Sequence, residues 1–222
     1  MFVTAASGIA TGLVLGIFGS GGSIIAVPAL LYLIGLGAKE AIAMSLGIVA
    51  VTATISAIDN WRHGNVNLRI TAVFGFFGVI GTYAGARLGV ITPATVQLVL
   101  FALVMYAAAW KMLSKQKVVP AGEPAPDEPV VGRRMAHIAM HGLVVGALTG
   151  LVGVGGGFLI VPALVLLSGI PIRQAIGTSL AIVAIKSYAG FAGYFGAVPI
   201  NYGLMASFTG VTVASSLVGT RV

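Results

Sequence analysis

The sequence predicts an all-α protein that crosses a lipid bilayer several times and is built from two related halves. Hydrophobic residues make up 58% of its 222 residues and charged residues only 8%, about a third of the roughly 25% typical of a soluble domain. Apolar stretches of about 20 residues, the length that spans a bilayer, recur between short polar breaks. In addition, similar segments recur at one constant spacing along the chain. Because backbone groups in lipid must pair within their own segment, we expect helices rather than strands.

Seven apolar segments can be delimited, and they predict about seven to eight transmembrane helices. The segments are Val3 to Leu36, Ala41 to Ile58, Ile70 to Ala86, Pro93 to Trp110, Ala136 to Ser168, Ala175 to Gly196 and Tyr202 to Thr220. The first and the fifth contain about 33 residues, well beyond the roughly 17–25 that one span requires. An interruption is therefore expected in each of these two segments.

The two halves are recognised by matches at a constant spacing. Residues 19–31 read GSGGSIIAVPALL and residues 153–165 read GVGGGFLIVPALV, so that Pro28 falls on Pro162. We call the spacing between these two prolines the repeat offset. At the same offset AIAMSL (41–46) falls on AIGTSL (175–180), and Asn67 falls on Asn201. Such a match predicts a duplication, and interrupted helices within a duplication are typical of transporters.

These matches divide the chain into a first transmembrane repeat, residues 1–114, a proline-rich linker, residues 115–134, and a second transmembrane repeat, residues 135–222. The linker holds four of the nine prolines and three of the five acidic residues, a composition that cannot bury a core. The counterpart of the segment Pro93 to Trp110 would begin beyond Val222, so the second repeat is expected to lack its last helix.

The charge distribution predicts the orientation. The net charge of +7 does not indicate nucleic-acid binding here, because Lys and Arg in loops mark the cytoplasmic side of a membrane protein. Five basic residues flank the linker, which we therefore place in the cytoplasm: Lys111, Lys115, Lys117, Arg133 and Arg134. We predict a multi-pass protein of the cell (plasma or inner) membrane that enters through its own first span, since its N-terminus lacks the basic region of a signal peptide. The chain has no cysteine, which excludes disulfides.

The interruptions of the two long segments are predicted to be their glycine-rich stretches. Glycine has a low helix propensity, so the helix can unwind there at little cost. Each long segment is then either one broken span or a hairpin of two half-helices. The first alternative gives four spans per repeat and parallel repeats, and the second gives an odd number of crossings and inverted repeats. The sequence leaves both alternatives open.

An unwound glycine turn that precedes a helix is a candidate anion site, because it exposes backbone N–H groups at the positive end of the helix dipole. The structural alternative is that these glycines only allow close helix packing. We favour the binding hypothesis because two dense stretches occur at matching positions. The candidate substrate-binding residues are Gly19, Ser20, Gly21, Gly22 and Ser23 in the first stretch, and Gly153, Gly155, Gly156 and Gly157 in the second.

Four further candidates lie in the spans that follow the two stretches. The hydroxyls of Ser45, Thr178 and Ser179 occupy equivalent places and either line a pathway or bond across helices and back to carbonyls. Lys186 lies near the middle of its span, where an ionisable group is expensive and usually functional. The alternative is that the Lys186 side chain extends along the helix and places its charge at the membrane–water interface. Its counterpart at the repeat offset is Thr52.

Other polar groups do not support catalysis or metal binding. His137 and His141 are four residues apart but have no third ligand nearby, so we predict no metal site. Asp59 and Arg62 can form a local ion pair beside Trp61, which suits an interfacial anchor. The stretch GSGGSI is not followed by lysine, which argues against a nucleotide-binding loop. We predict no catalytic residue, no cofactor and no enzyme activity, because the spans offer neither a nucleophile nor a paired acid and base.

The doubled glycine-rich stretch with VPAL, the AIxxSL step, the turn from Trp61 to Asn67 and GARLG (Gly85 to Gly89) together resemble the TauE/SafE family of sulfite-exporter-like permeases. The resemblance covers nearly the whole chain apart from the linker. It implies a multi-pass permease for small anions, one that exports sulfite, sulfoacetate or similar compounds, and it implies a further helix at the end of the fold.

The sequence therefore predicts a secondary transporter whose partners are a small anionic substrate and the lipid bilayer, and it is compatible with a homo-oligomer. With the cell interior negative, moving one elementary charge across 100 mV is worth about 2.3 kcal/mol, so expelling an anion is downhill. We expect export or facilitated flux without obligatory metal-ion coupling, because no carboxylate lies in the middle of a span. The alternative is an accessory or structural membrane subunit without transport activity of its own.

Overall fold

The computed structural model describes residues 2–18, 22–113, 131–153, 157, 160–161, 164 and 170–219. Every regular element in these ranges is helical, which confirms the predicted all-α class. The helices are α1 (Phe2–Phe18), α2 (Gly22–Pro28), α3 (Ala38–Arg62), α4 (Leu68–Ile91), α5 (Ala94–Leu113), α6 (Val131–Val152), α7 (Ile172–Tyr194) and α8 (Tyr202–Gly219). Helix α2 continues into one π-helical turn, Ala29–Leu33.

Four of these helices are long and apolar enough to cross a membrane: α3, α4, α7 and α8. Each overlaps a predicted segment, and its ends differ from the prediction by a few residues. Two of them begin at an asparagine cap. Asn67 Oδ1 accepts a hydrogen bond from the backbone N–H of Ile70 (3.2 Å) at the start of α4, and Asn201 Oδ1 accepts one from Leu204 (3.0 Å) at the start of α8. These side chains satisfy N–H groups that the first helical turn leaves unpaired.

The contacts between α3, α4 and α7 fix their relative directions. Gly47, early in α3, faces Phe191, late in α7, whereas Gly177, early in α7, faces the end of α3 at Asn60. Helices α3 and α7 are therefore antiparallel. Helix α4 runs parallel to α7, since Gly75 lies near Ile185 and Gly89 lies near Tyr194.

The closest helix contacts pair the first helix of each half with a long helix of the other half. Glycines spaced four apart on α1, Gly8, Gly12 and Gly16, lie against the α8 backbone from Phe208 to Ser216. On α6, glycines at the same spacing lie against the α4 backbone from Phe74 to Thr82, and these are Gly142, Gly146 and Gly150. In both pairs the helices are parallel. The two sets of contacts are related by the repeat offset seen in the sequence.

In each long apolar segment, a described residue beyond the glycine-rich stretch lies at the same level of the bundle as a residue before it. Gly8 of α1 lies near Phe208, and Leu30, which follows α2, packs in one cluster with the same Phe208. In the second half Gly142 of α6 lies near Phe74, and Leu164 clusters with Phe74. Of the two alternatives left open by the sequence, the contacts thus favour the hairpin over the single broken span.

The helix directions gather basic residues at one end of the molecule. Because α3 ends where α4 and α7 begin, exposed Arg62, Arg69 and Arg173 lie at the same end of the bundle. We call this end the arginine face. Helix α6 begins at this face because it is parallel to α4. Lys39 at the start of α3 and Arg87 near the end of α4 lie at the opposite end.

Candidate functional site

Lys186, a fully buried lysine, is the centre of the candidate site. Lys186 lies on α7 with 0% of its side chain exposed, and its Nζ donates a hydrogen bond to Thr149 Oγ1 of α6 (3.1 Å). Burial rules out the alternative in which the side chain extends to an interface. Outside the linker the chain has only two acidic residues, Glu40 and Asp59, and they lie near the two ends of α3. The ammonium therefore has no carboxylate partner among the described residues.

A break in the backbone lies one helical turn beyond Thr149. Helix α6 ends at Val152, and Gly153 follows with a φ of 78°, a conformation that is unfavourable for residues with a side chain. A Cβ at Gly153 would overlap the side chain of Ile42 on α3. The N–H of Gly153 donates to the carbonyl of Thr149 (2.9 Å). Glycine is therefore required here both by the backbone angle and by the close approach of α3.

Ser45 on α3 completes this arrangement from the other half of the chain. Its Oγ lies 2.8 Å from the carbonyl oxygen of Gly153 and 2.9 Å from that of Ile42 on its own helix. The structure thus connects Lys186, Thr149, Gly153 and Ser45 through consecutive hydrogen bonds and one backbone turn. We call these four residues the lysine–glycine cluster.

Two further side chains bind the carbonyl end of α6. Gln97 Nε2 donates to the carbonyl of Leu151 (2.8 Å), and the Tyr194 hydroxyl donates to the same oxygen (3.2 Å). Gln97 Nε2 also lies 3.0 Å from the carbonyl of Gly89. The last carbonyls of a helix have no N–H partner within the helix, and inside a bilayer water cannot hydrate them. Side-chain donors such as Gln97 and Tyr194 are therefore needed to stabilise these carbonyls.

Some buried polar atoms of α4, α5 and α7 have no hydrogen-bond partner in the described part of the chain. They are the Oγ atoms of Thr82 and Ser187 and the Oε1 atom of Gln97. Ser187 is the neighbour of Lys186, and Thr82 packs against α6 at Gly146 and Gly150. Buried hydroxyls without a partner suit a polar ligand, because each would otherwise lose its hydration without compensation.

The remaining predicted residues fall into two groups. Gly19, Ser20, Gly21, Gly155 and Gly156 lie outside the described residues. Gly22 and Ser23 form the start of α2, and Gly157 is helical and buried. The anion site predicted at the exposed N–H groups of these two stretches therefore stays a prediction.

Thr178 and Ser179 lie away from the cluster. Thr178 Oγ1 accepts a hydrogen bond from the backbone N–H of Asn67 (2.9 Å) at the turn between α3 and α4. Ser179 Oγ donates to the carbonyl of Ile176 (2.9 Å). Thr178 precedes Lys186 by eight residues, about 12 Å along a helix. The structure thus brings together Ser45 and Gly153 but does not bring Thr178 to Lys186.

Sequence reasoning missed Thr149, Gln97 and Tyr194. The sequence indicates Thr149 only weakly as a site residue, because a hydroxyl side chain lies there four residues before a glycine-rich break. The sequence does not indicate Gln97 and Tyr194, because their role depends on which carbonyl their helices place within reach.

Apolar helices around a buried lysine that has no carboxylate partner among the described residues are typical of a polytopic membrane protein with a functional site inside the membrane. The comparisons with known proteins agree. The family model described as "Sulfite exporter TauE/SafE" matches residues 4–222, and the chain belongs to this family. It is 35% identical over 188 residues to a "Probable membrane transporter protein" of Xylella fastidiosa strain Temecula1, with 82% of this chain and 69% of the relative covered.

A second relative comes from Bacillus subtilis. The chain is 25% identical over 210 residues to the "Probable membrane transporter protein YdhB" of Bacillus subtilis, with 95% of this chain and 85% of the relative covered. No solved structure is significantly similar to the chain. The chain is thus a multi-pass membrane protein of a transporter family.

Proposed function

We propose that the protein is a secondary transporter for small anions and that Lys186 supplies the positive charge that binds them. The observation that carries this proposal is the complete burial of the Lys186 ammonium, with Thr149 Oγ1 as its described partner. A charge at this depth is costly unless it is neutralised. A substrate anion would provide the missing counter-charge, and the hydroxyls of Thr82 and Ser187 would provide additional donors.

The same proposal assigns a role to the glycine-rich breaks. Two hairpins that enter from opposite faces, with contacts related by the repeat offset, support an internal duplication with inverted repeats. Transporters built in this way expose a central site to each face in turn by moving one repeat against the other. The break at Gly153 lies at the end of α6 and touches α3 through Ile42 and Ser45. A movement of one hairpin would thus reach Lys186 through Thr149.

The substrate and the orientation are proposed on separate grounds. The family description names sulfite export, and we propose sulfite or organosulfonate anions as the transported compounds. The arginine face carries Arg62, Arg69 and Arg173, and α5 ends and α6 begins there, on either side of the linker. The positive-inside rule therefore favours a cytoplasmic position for this face and the linker, at the cell membrane. Export of an anion from that side follows the membrane potential.

The test is a flux measurement on purified protein in liposomes. Labelled sulfite, sulfate and a small sulfonate are supplied on one side, with a membrane potential set by a potassium gradient. We expect flux of at least one of these anions, and we expect Lys186→Met to reduce it at least tenfold while Lys186→Arg retains part of it. Lys39→Met is the matched control, because it removes a lysine charge at the start of α3, outside the cluster.

Three outcomes would count against the proposal. Unchanged flux in Lys186→Met would show that the Lys186 charge is not needed to bind the transported anion. No flux of any tested anion by folded protein would favour the accessory-subunit alternative. Anion movement that depends strictly on sodium would contradict transport without metal-ion coupling.

A further inference from the structure

An apolar groove opens on the outer surface of the helix bundle, next to the arginine face. It lies between α3, α4 and α7 and has a volume of about 360 Å³. Its floor contains the small residues Ala57, Thr71 and Ala181, and its walls include Trp61 and Tyr188. Trp61 is 58% exposed and Tyr188 48%, so the groove is open along its length.

The two threonines of the groove do not make its lining polar. Thr71 Oγ1 donates to the carbonyl of Asn67 (2.9 Å). Thr54 Oγ1 donates to the carbonyl of Ala50 (2.7 Å) and also lies 3.4 Å from the Tyr188 hydroxyl. Both threonine hydroxyls are thus paired within the protein, and the surface of the groove is almost entirely apolar. The occupant is therefore expected to be a hydrocarbon chain rather than a polar ligand.

The rim of the groove, where α3 ends and α4 begins, has two arginines nearby in sequence. Arg62 and Arg69 follow the lining residues Trp61 and Leu68 directly in sequence, and both are exposed. Within the described chain neither arginine forms an ion pair, although half-buried Asp59 lies on the last turn of α3. His63 caps the same helix and bonds the Asp59 carbonyl through Nδ1 (2.7 Å). Two exposed arginines at this end of an apolar groove complement a phosphate attached to an acyl chain.

The corresponding place in the other half of the chain has neither feature. At the repeat offset Ala57 corresponds to Phe191 and Thr71 to Met205, and these two large side chains meet over Gly47. Arg62 and Arg69 correspond to Gly196 and Gly203. The groove therefore has both open volume and two arginines nearby, whereas the counterpart positions in the other half have large side chains and two glycines. This pairing is expected if one ligand requires both.

From these observations we propose that the groove binds an anionic phospholipid. One acyl chain lies over Ala57, Thr71 and Ala181, and the headgroup phosphate is bound by Arg62 and Arg69. A second copy of this chain fits less well, because a symmetric contact would bring the arginines of both copies together. A zwitterionic lipid would fill the groove without gaining the full attraction of the rim.

Intrinsic fluorescence offers a direct test, since the chain has only two tryptophans, Trp61 and Trp110. In a Trp110→Phe variant Trp61 is the sole reporter at the groove. The protein is reconstituted in phosphatidylcholine that contains a small fraction of lipid with brominated acyl chains, either phosphatidylglycerol or phosphatidylcholine. We expect half-maximal quenching of Trp61 at a lower mole fraction of brominated phosphatidylglycerol than of brominated phosphatidylcholine. The ratio of the two mole fractions should be about fivefold for each arginine that contributes.

Three variants locate the effect. Arg62→Gln combined with Arg69→Gln should abolish the preference for phosphatidylglycerol and retain the weaker quenching by phosphatidylcholine. Ala57→Phe, which copies the filled half, should weaken quenching by both lipids. Arg87→Gln removes a charge at the opposite end and should leave the preference unchanged.

The proposal is overturned if both brominated lipids quench Trp61 equally in the parent protein, or if the preference survives loss of both arginines. It is also overturned if neither lipid quenches Trp61 and cross-linking in the same bilayers traps a dimer through this surface. The groove would then be an interface between two copies.

Discussion

At the scale of single residues, the break at Gly153 depends on hydrogen-bond donors supplied by other helices. Ser45 bonds the carbonyl of Gly153, and Gln97 bonds the carbonyl of Leu151. In water such carbonyls would be hydrated, but within a bilayer they need protein partners. Ser45 was predicted as a site residue from its place after the first glycine-rich stretch. Its contact with the second stretch could not be predicted, because it depends on how the two halves pack.

Replacement of Ser45 by alanine should lower stability by about 1 kcal/mol, because it leaves a buried carbonyl with one donor fewer. The measurement is the thermal unfolding midpoint of purified protein in detergent. Ser207→Ala is the matched control, since Ser207 is exposed and its Oγ bonds only its own helix at Leu204. An equal change in both variants would argue against a specific role for the contact with Gly153.

Gly153 is expected to be the least tolerant of the described glycines near Lys186. Alanine there must adopt a φ near 78° and must also displace Ile42. Each effect alone costs on the order of 1–3 kcal/mol. We expect Gly153→Ala to lose most folded protein on expression, as measured by size-exclusion chromatography, whereas Gly64→Ala should retain it. Gly64 has a similar φ of 74° but open space around it, so this pair separates the steric effect from the backbone effect.

At the scale of helices, the sequence predicted the main spans and the position of the break at Gly153. Ala38–Arg62 and Leu68–Ile91 extend the predicted segments by a few residues, because caps such as Asn67 lie outside the apolar run. The fold-back of each long segment was left open. An apolar pattern defines which residues avoid water, but it does not encode whether the chain reverses at a glycine.

Close packing of α1 on α8 and of α6 on α4 provides a prediction at this scale. A Cβ at Gly12 would overlap the carbonyl of Thr212, and one at Gly146 would press on the carbonyl of Gly78. Gly12→Ala and Gly146→Ala should therefore each destabilise the protein by about 1–3 kcal/mol. Gly210→Ala on α8, where no atom is near, should stabilise it by up to about 1 kcal/mol. A lower thermal unfolding midpoint in Gly12→Ala and Gly146→Ala and a higher one in Gly210→Ala would confirm the contacts. The same change of the midpoint in all three variants would contradict them.

These glycine contacts had a signal in the sequence. Gly8, Gly12 and Gly16 are spaced four apart, and the same spacing recurs at Gly142, Gly146 and Gly150. Such spacing places small residues on one helix face and allows backbones to approach. The spacing does not encode which helix lies against this face, so the partners of α1 and α6 could not be predicted from it.

At the scale of the whole molecule, the helix directions predict which loops share a side of the membrane. The turn after α3, at His63, should lie on the same side as the linker, and the turn after α7, at Ala197, on the opposite side. The chain has no cysteine, so single cysteines can be introduced without background. In intact cells an impermeant maleimide should label Ala197→Cys, whereas His63→Cys and Ala121→Cys should react only after the membrane is opened. Labelling of His63→Cys together with Ala197→Cys would contradict the arrangement.

The pairing of α1 with α8 also bears on biogenesis. Helix α1, the first of the described helices, can contact α8 only after the intervening helices have been made. Until then its row of glycines faces lipid or the insertion machinery. The contact between α1 and α8 should therefore form late in assembly, and chains truncated before α8 should be cleared by membrane proteases.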